Sequence, residues 1–354
     1  MASMQADPTS IDGVLRDGQA EGKSLSEQYA EFGLPVPEKT QRSRVFGVIR
    51  SYSQVTGGEW VYLVVAYIGT LVSLGLTVQR FATLEKDSDD FTFAIVLFLN
   101  TLFCAFFVAY GVWKEQPFSL LVYIMTTFLV LIYVIMNFAS GSVPDVATTN
   151  GIIKLVRLIV TSALSVYLIS AGLFYVYKYC DSEKFIYDLI GPEPGRKRAL
   201  KLYFAFQSLL WFDLQIELSL EIMIMREGVV KFTEKEILVL AIGSVYSVVM
   251  RYVGYLAARY ESPRACVFYA VSGLLPIGYV VFLFYDVQAT LTASSVIYKI
   301  VLFTGSMWLG VKVLLVWVLY RLYRHFGMGI RHWVYGDPVV PESKDYRTFE
   351  NEES

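Results

Sequence analysis

Histidine is nearly absent. The 354-residue chain has two, His325 and His332, both close to its C-terminal end. A structural or catalytic zinc site draws three or four ligands from His, Cys and carboxylates, and no such cluster is present. Cysteine is as sparse. Cys104, Cys180 and Cys266 lie far apart, form no Cys-x-x-Cys and define no disulfide framework. Charge is the third scarcity: Asp, Glu, Lys and Arg make up 18% of the chain, with a net charge of −2. Soluble proteins carry about 25%. A disordered chain needs more charge, a nucleic-acid binder needs a basic field, and an ordinary cytosolic enzyme has a more polar surface. All three classes are excluded, so no nucleic-acid partner is expected.

Reaction motifs are missing too. There is no Gly-x-Ser-x-Gly, no phosphate-binding loop and no Cys/His nucleophile arrangement. Tyr285-Asp286 lacks the Gly-x-Gly-Asp that an intramembrane aspartyl protease would add. The third and seventh apolar runs lack the Asp/Glu-Arg-Tyr and Asn-Pro-x-x-Tyr signatures of seven-helix receptors. No enzyme activity, cofactor or metal is expected. No basic segment followed by an apolar run opens the chain, so no cleavable signal peptide is expected, and no Asn-x-Ser/Thr sequon occurs.

What is abundant is apolar surface. Hydrophobic residues form 55% of the chain and mean hydropathy is +0.49. A membrane span needs about 20 mostly apolar residues. Runs that qualify are Trp60–Val78, Phe91–Trp113, Phe118–Phe138, Ile152–Val176, Leu200–Ile224, Ile237–Ala258, Ala265–Tyr285 and Ala293–Tyr320. The expected fold is an all-α polytopic transmembrane helix bundle of about eight spans. It occupies residues 59–322, between a polar N-terminal tail (1–58) and a juxtamembrane segment with an acidic tail (323–354). The longest connector, Tyr177–Ala199, divides the runs four and four, without visible sequence similarity between the halves.

Basic residues cluster in alternate loops. Lys39 to Arg50, Lys114, Lys178 to Lys201, Arg259 with Arg264, and Arg321 to Arg331 fall on one side. The positive-inside rule makes that side, and both termini, cytoplasmic. The alternating basic and aromatic residues from Arg321 to Tyr335 suit a segment lying in the headgroup layer. The membrane itself, plasma membrane or endomembrane, is not distinguished. Tyr29-Ala-Glu-Phe32 and Tyr346-Arg-Thr-Phe349 fit tyrosine-based sorting signals, which would make sorting adaptors partners alongside the lipid bilayer.

The costly residues lie in the fifth run. Between Trp211 and Ile222 polar and apolar residues alternate, which is strand-like periodicity. A lone strand cannot satisfy its backbone in lipid, so the segment is read as helix. At 100° per residue Asp213, Glu217 and Glu221 form one acidic stripe, with Gln215 and Ser219 on the opposite face. Asp213 lies about 18 Å beyond Lys201, near mid-membrane. An ionised Asp there costs about 2.5–3.5 kcal/mol on insertion scales, so the stripe should face the bundle, water or a counter-charge. Candidate counter-charges are Lys154, Arg157, Arg251, Lys299 and Lys312. Depth matches Asp213 with Lys312, and Glu217 and Glu221 with Lys154 and Arg157; Arg251 can snorkel inward.

Two functional readings stand. In one, the stripe serves a proton- or cation-linked transporter or channel-like protein. In the other, the charges hold together a non-enzymatic scaffold or sensor. Two weaker features complete the inventory. Ser272 to Gly278, with Pro276, predicts a kink in the seventh run, and Ser306 with Gly310 forms a small-residue pair suited to packing within the chain.

Overall fold

The computed structural model describes residues 41–43, 47–49, 55–83, 89–140, 149–182, 186, 194–223, 234–290, 296–329 and 334–335. Two units divide the chain, Met1–Gln41 and Arg42–Ser354, and the second carries every described helix. A short ribbon of β1 (Gln41–Ser43) and β2 (Gly47–Ile49) precedes the helices, inside the segment read as a polar tail. The sorting motifs at Tyr29 and Tyr346 lie outside the described residues.

The helices are α1 (Gly57–Thr83), α2 (Asp89–Trp113), α3 (Pro117–Ser140), α4 (Thr149–Ser182), α5 (Pro194–Ile222), α6 (Glu234–Arg259), α7 (Pro263–Ser272), α8 (Leu274–Thr290) and α9 (Val296–Tyr323). With α7 and α8 counted as one broken rod, the described residues form eight rods. Seven are long and apolar enough to cross a membrane. The exception is α5, whose composition is spoiled by its own charges.

Local chemistry sets several helix ends. The Thr56 backbone N–H donates to Glu59 Oε2 at 2.9 Å, half of a capping box that starts α1. Two tight corners are built alike, at Glu115-Gln116-Pro117 between α2 and α3 and at Glu261-Ser262-Pro263 between α6 and α7. In each, the glutamate takes a left-handed φ, 48° and 49°. The next residue's N–H then reaches back five positions to a helix carbonyl, Gln116 to Gly111 at 3.0 Å and Ser262 to Ala257 at 3.1 Å. Proline starts the following helix, where its missing N–H is not needed.

These matched corners mark a repeat that the sequence did not display. In the first half α1, α2, α3 and α4 pack in a closed ring, each on the next and α4 back on α1. In the second half α5, α6, the α7–α8 rod and α9 do the same. The matching corner joins the second and third rods of each ring.

The halves meet at α5, which packs on α2 and α3 of the first ring and on α6 and α9 of its own. No residue of α5 between Ala199 and Met223 is exposed. A helix with polar groups on two faces cannot face hydrocarbon, so it takes the innermost place. Apolar side chains elsewhere point outward in helical rows, Val64, Ile68 and Leu71 on α1 and Leu238, Ile242, Val245 and Val249 on α6. Rows this long on the outside of a fold require a lipid solvent. The chain is therefore a multi-pass integral membrane protein in contact with the bilayer.

Three local expectations are refined or corrected. The kink falls at Gly273. Pro276 has no N–H for the Ser272 carbonyl four residues back, and the Tyr246 hydroxyl of α6 donates to that carbonyl instead, at 2.7 Å. The Ser306–Gly310 pair does not pack within the chain: both residues are exposed, and a Cβ on Gly310 would meet nothing within 4 Å. The segment after α9 folds back onto the bundle. The chain turns through positive-φ Gly327 and Gly329, and Val334 and Tyr335 are buried against the end of the bundle. There the Tyr335 and Tyr203 hydroxyls are 2.8 Å apart, and the Arg259 guanidinium lies 4.0 Å from the Tyr335 ring centre.

Candidate functional site

The two polar faces of α5 meet different neighbours. The amide face turns to the first half. Thr126 of α3 donates to Gln215 Oε1 at 3.0 Å, Gln215 Nε2 donates to Asn100 Oδ1 of α2, and Asn100 Nδ2 donates to Ser219 Oγ at 3.0 Å. Ser119 and Ser208 hydroxyls, 2.8 Å apart, and Tyr133 and Thr304 hydroxyls, 2.7 Å apart, extend this neutral ladder between the halves. Each buried polar group is satisfied without a charge, which suits a permanent joint.

The acidic face turns to α6 and α9. Lys312 of α9 donates from Nζ to Asp213 Oδ2 at 2.7 Å. The same Nζ lies 2.8 Å from Glu217 Oε1, an ion-pair contact rather than an aligned hydrogen bond. The residues are 8%, 5% and 8% exposed, so one ammonium serves two carboxylates out of water. Asp213 Oδ1 is buried and makes no aligned hydrogen bond among the described residues, although the Trp308 indole lies against the Asp213 carboxylate. The Trp308 ring, with its centre 5.1 Å from Nζ, closes the cluster from the side of α9.

Glu221, one turn further along α5, has no cation at ion-pair distance among the described residues. It accepts from Ser244 Oγ at 2.8 Å and from Ser247 Oγ at 3.0 Å, both on α6. Gly243 makes room for it: a Cβ there would stand 2.9 Å from Glu221 Oε1.

A cavity of about 10 Å³ lies against the cluster, lined by Asp213, Glu217, Lys312, Arg251, Tyr246 and Tyr269 among others. That is about the minimum for one water molecule. The three acids do not converge on a metal: no group of three or more His, Cys, Asp or Glu among the described residues is placed to hold one. Spaced four residues apart on a helix, they rise about 6 Å per step. The arrangement can hold a proton, a water or an ion pair.

Of the five candidate counter-charges, the structure brings only Lys312 within ion-pair distance of the stripe among the described residues. The matching of Glu217 and Glu221 with Arg157 is corrected: Glu217 shares Lys312 and Glu221 accepts from serines. Arg157 is buried and donates to Thr77 Oγ1 of α1 at 3.5 Å. The Lys154 side chain lies outside the described residues, and Lys299 is exposed. Arg251 lies on an aromatic ring, its guanidinium carbon 3.7 Å from the Trp211 ring centre. Ser244, Ser247 and Tyr246 were missed from sequence because a neutral hydroxyl on an apolar helix satisfies itself as readily on its own backbone.

A family model described as Domain of unknown function (DUF7789) matches residues 46–177 and 195–321. The chain belongs to the DUF7789 family. The two DUF7789 segments correspond to the two four-rod halves and leave out the connector from 178 to 194. The acids of α5 and Lys312 fall within the second segment, whereas the buried Val334 and Tyr335 lie beyond it. No curated protein and no solved structure matches the chain.

Proposed function

We propose that this chain is a proton-linked membrane transporter or channel-like protein, not an enzyme, and that Asp213, Glu217 and Lys312 form its proton site. The observation that carries this reading is that, among the described residues, a single cation, Lys312, is in ion-pair contact with two buried carboxylates. Fully ionised, the trio bears one net negative charge, and an uncompensated charge in a dry interior is costly. Two carboxylates sharing a site relieve that cost by holding a proton between them. Asp213 Oδ1, which makes no aligned hydrogen bond among the described residues, offers lone pairs for it. The water-sized cavity favours a proton over a larger cation. With α5 crossing as the eighth span and both termini cytoplasmic, Glu221 and its serines form the next station outward.

The smallness of that cavity also favours a second reading, a scaffold or sensor whose charges are structural. Proton flux separates the two. Purified protein in liposomes containing a pH-sensitive dye, with the membrane potential clamped, is expected to carry protons faster than protein-free liposomes. Asp213→Asn and Glu217→Gln should remove that flux while the protein still folds. Wild-type flux no greater than that of empty liposomes defeats the transport reading and leaves the scaffold.

A further inference from the structure

Arg251 is the charge that the proton site leaves unused. It lies in the α6 span, eight residues or about 12 Å from Arg259 at the inner end. No carboxylate lies within 4 Å of it among the described residues, and its Nε is buried with no hydrogen-bond partner. An intramembrane arginine is expected to have an anionic partner.

Helix register shows where that partner is. A Cβ on Gly243 would meet Glu221, and one on Gly254 would meet Leu210. These pairs are eleven residues apart on both antiparallel helices, so counting three residues from Gly254 away from Arg259 puts Arg251 level with Asp213. Arg251 and Asp213 line the same water-sized cavity. The guanidinium nevertheless lies on Trp211, 3.7 Å from the ring centre, with the Tyr255 ring at 5.9 Å.

We infer that Arg251 is a second, movable counter-ion of the acidic site, stacked on Trp211 while the Asp213–Glu217 pair holds a proton and turned onto Asp213 when that proton leaves. The inference rests on the proton site proposed above. With a proton bound, the pair carries one negative charge, Lys312 neutralises it, and Arg251 is left to the aromatic faces, which is the observed arrangement. With the proton gone, two carboxylates require two cations, and Arg251 is level with the first. Arginine keeps its charge at any working pH, so the charge moves by side-chain rotation. The other groups facing this space are Glu221 and Ser247, the phenols of Tyr246 and Tyr269, and those of Tyr110, Tyr203 and Tyr255 around the guanidinium.

The test is a pH titration of tryptophan emission from the full-length protein in nanodiscs, with the Trp211→Phe spectrum subtracted to isolate Trp211. The Trp211 component should shift with a one-proton transition. Asp213→Asn should hold it at its low-pH value throughout, because Glu217 and Lys312 then match one to one. Arg251→Lys keeps the charge but cannot stack flat on the indole, and should remove the transition. A Trp211 component that does not change with pH in the wild type overturns the inference, with no variant needed. So does a transition that survives in Asp213→Asn/Glu217→Gln. A titrating Trp211 without liposome flux would sink transport and keep the switch; flux with a pH-invariant Trp211 would do the reverse.

Discussion

Replacing Lys312 with methionine should damage this protein more than neutralising either acid that Lys312 serves. Methionine preserves most of the side chain's length and apolar contact, so the perturbation is the charge. In the wild type, Nζ is 2.7 Å from one carboxylate and 2.8 Å from another, with all three groups buried. At an effective dielectric of about 20, each contact is worth roughly 6 kcal/mol before desolvation and acid–acid repulsion are subtracted. Removing one partner of a buried ion pair costs about 3–5 kcal/mol, roughly a hundred- to several-thousand-fold in the folded-to-unfolded ratio. Lys312→Met strands the one negative charge that the proton-sharing acid pair retains and should fall within that range. Asp213→Asn leaves Glu217 and Lys312 matched and should cost only about 1 kcal/mol. Adding Asp213→Asn to Lys312→Met should recover part of the loss, and the triple variant with Glu217→Gln most of it. Lowering the pH should shrink the Lys312→Met defect, because protons neutralise the stranded acids. Unfolding in one detergent, by heat or by denaturing surfactant, across the single, double and triple variants measures this. A Lys312→Met protein as stable as wild type, or a triple variant no better than the single, would refute the charge count.

Two further outcomes follow from contacts outside the proton site. Tyr246→Phe removes the hydroxyl that caps the Ser272 carbonyl, and should cost about 1–2 kcal/mol in the same assay. Pro276→Ala supplies an N–H for that carbonyl, so Tyr246→Phe should be nearly neutral in its background; an unchanged cost would show that the hydroxyl does not substitute for the missing helix bond. Asn100→Leu strips partners from Gln215 and Ser219 at once and should lower stability by about 1–2 kcal/mol. Wild-type stability of Asn100→Leu would mean that the ladder between the halves contributes nothing.

Apolar run length was enough to place the helices, because in lipid the backbone must bond within its own segment and a helix is the only open-ended way to do so. The 100° step per residue likewise placed the acids of α5 on one face and Gln215 with Ser219 on the other before any neighbour was known. Depth was enough to suggest Lys312 for Asp213, since both positions can be counted from the basic residues at the helix ends. Other features were not legible in this way. Depth is a single coordinate, and it could not separate Arg157, which is bound to α1, from Lys312, which faces α5 across the second ring. Ser244 and Ser247 carry no charge to betray them, yet they satisfy Glu221. The likeness of the two halves lies in corner geometry and ring order rather than in residue identity, because packing in lipid accepts many apolar side chains at one position. Above all, only the tertiary structure decided that α5 is the rod of the second ring that meets the first, with no residue exposed from Ala199 to its end. That enclosure keeps three carboxylates out of both water and lipid, and the packing of α6 and α9 around them sets how many cations they share.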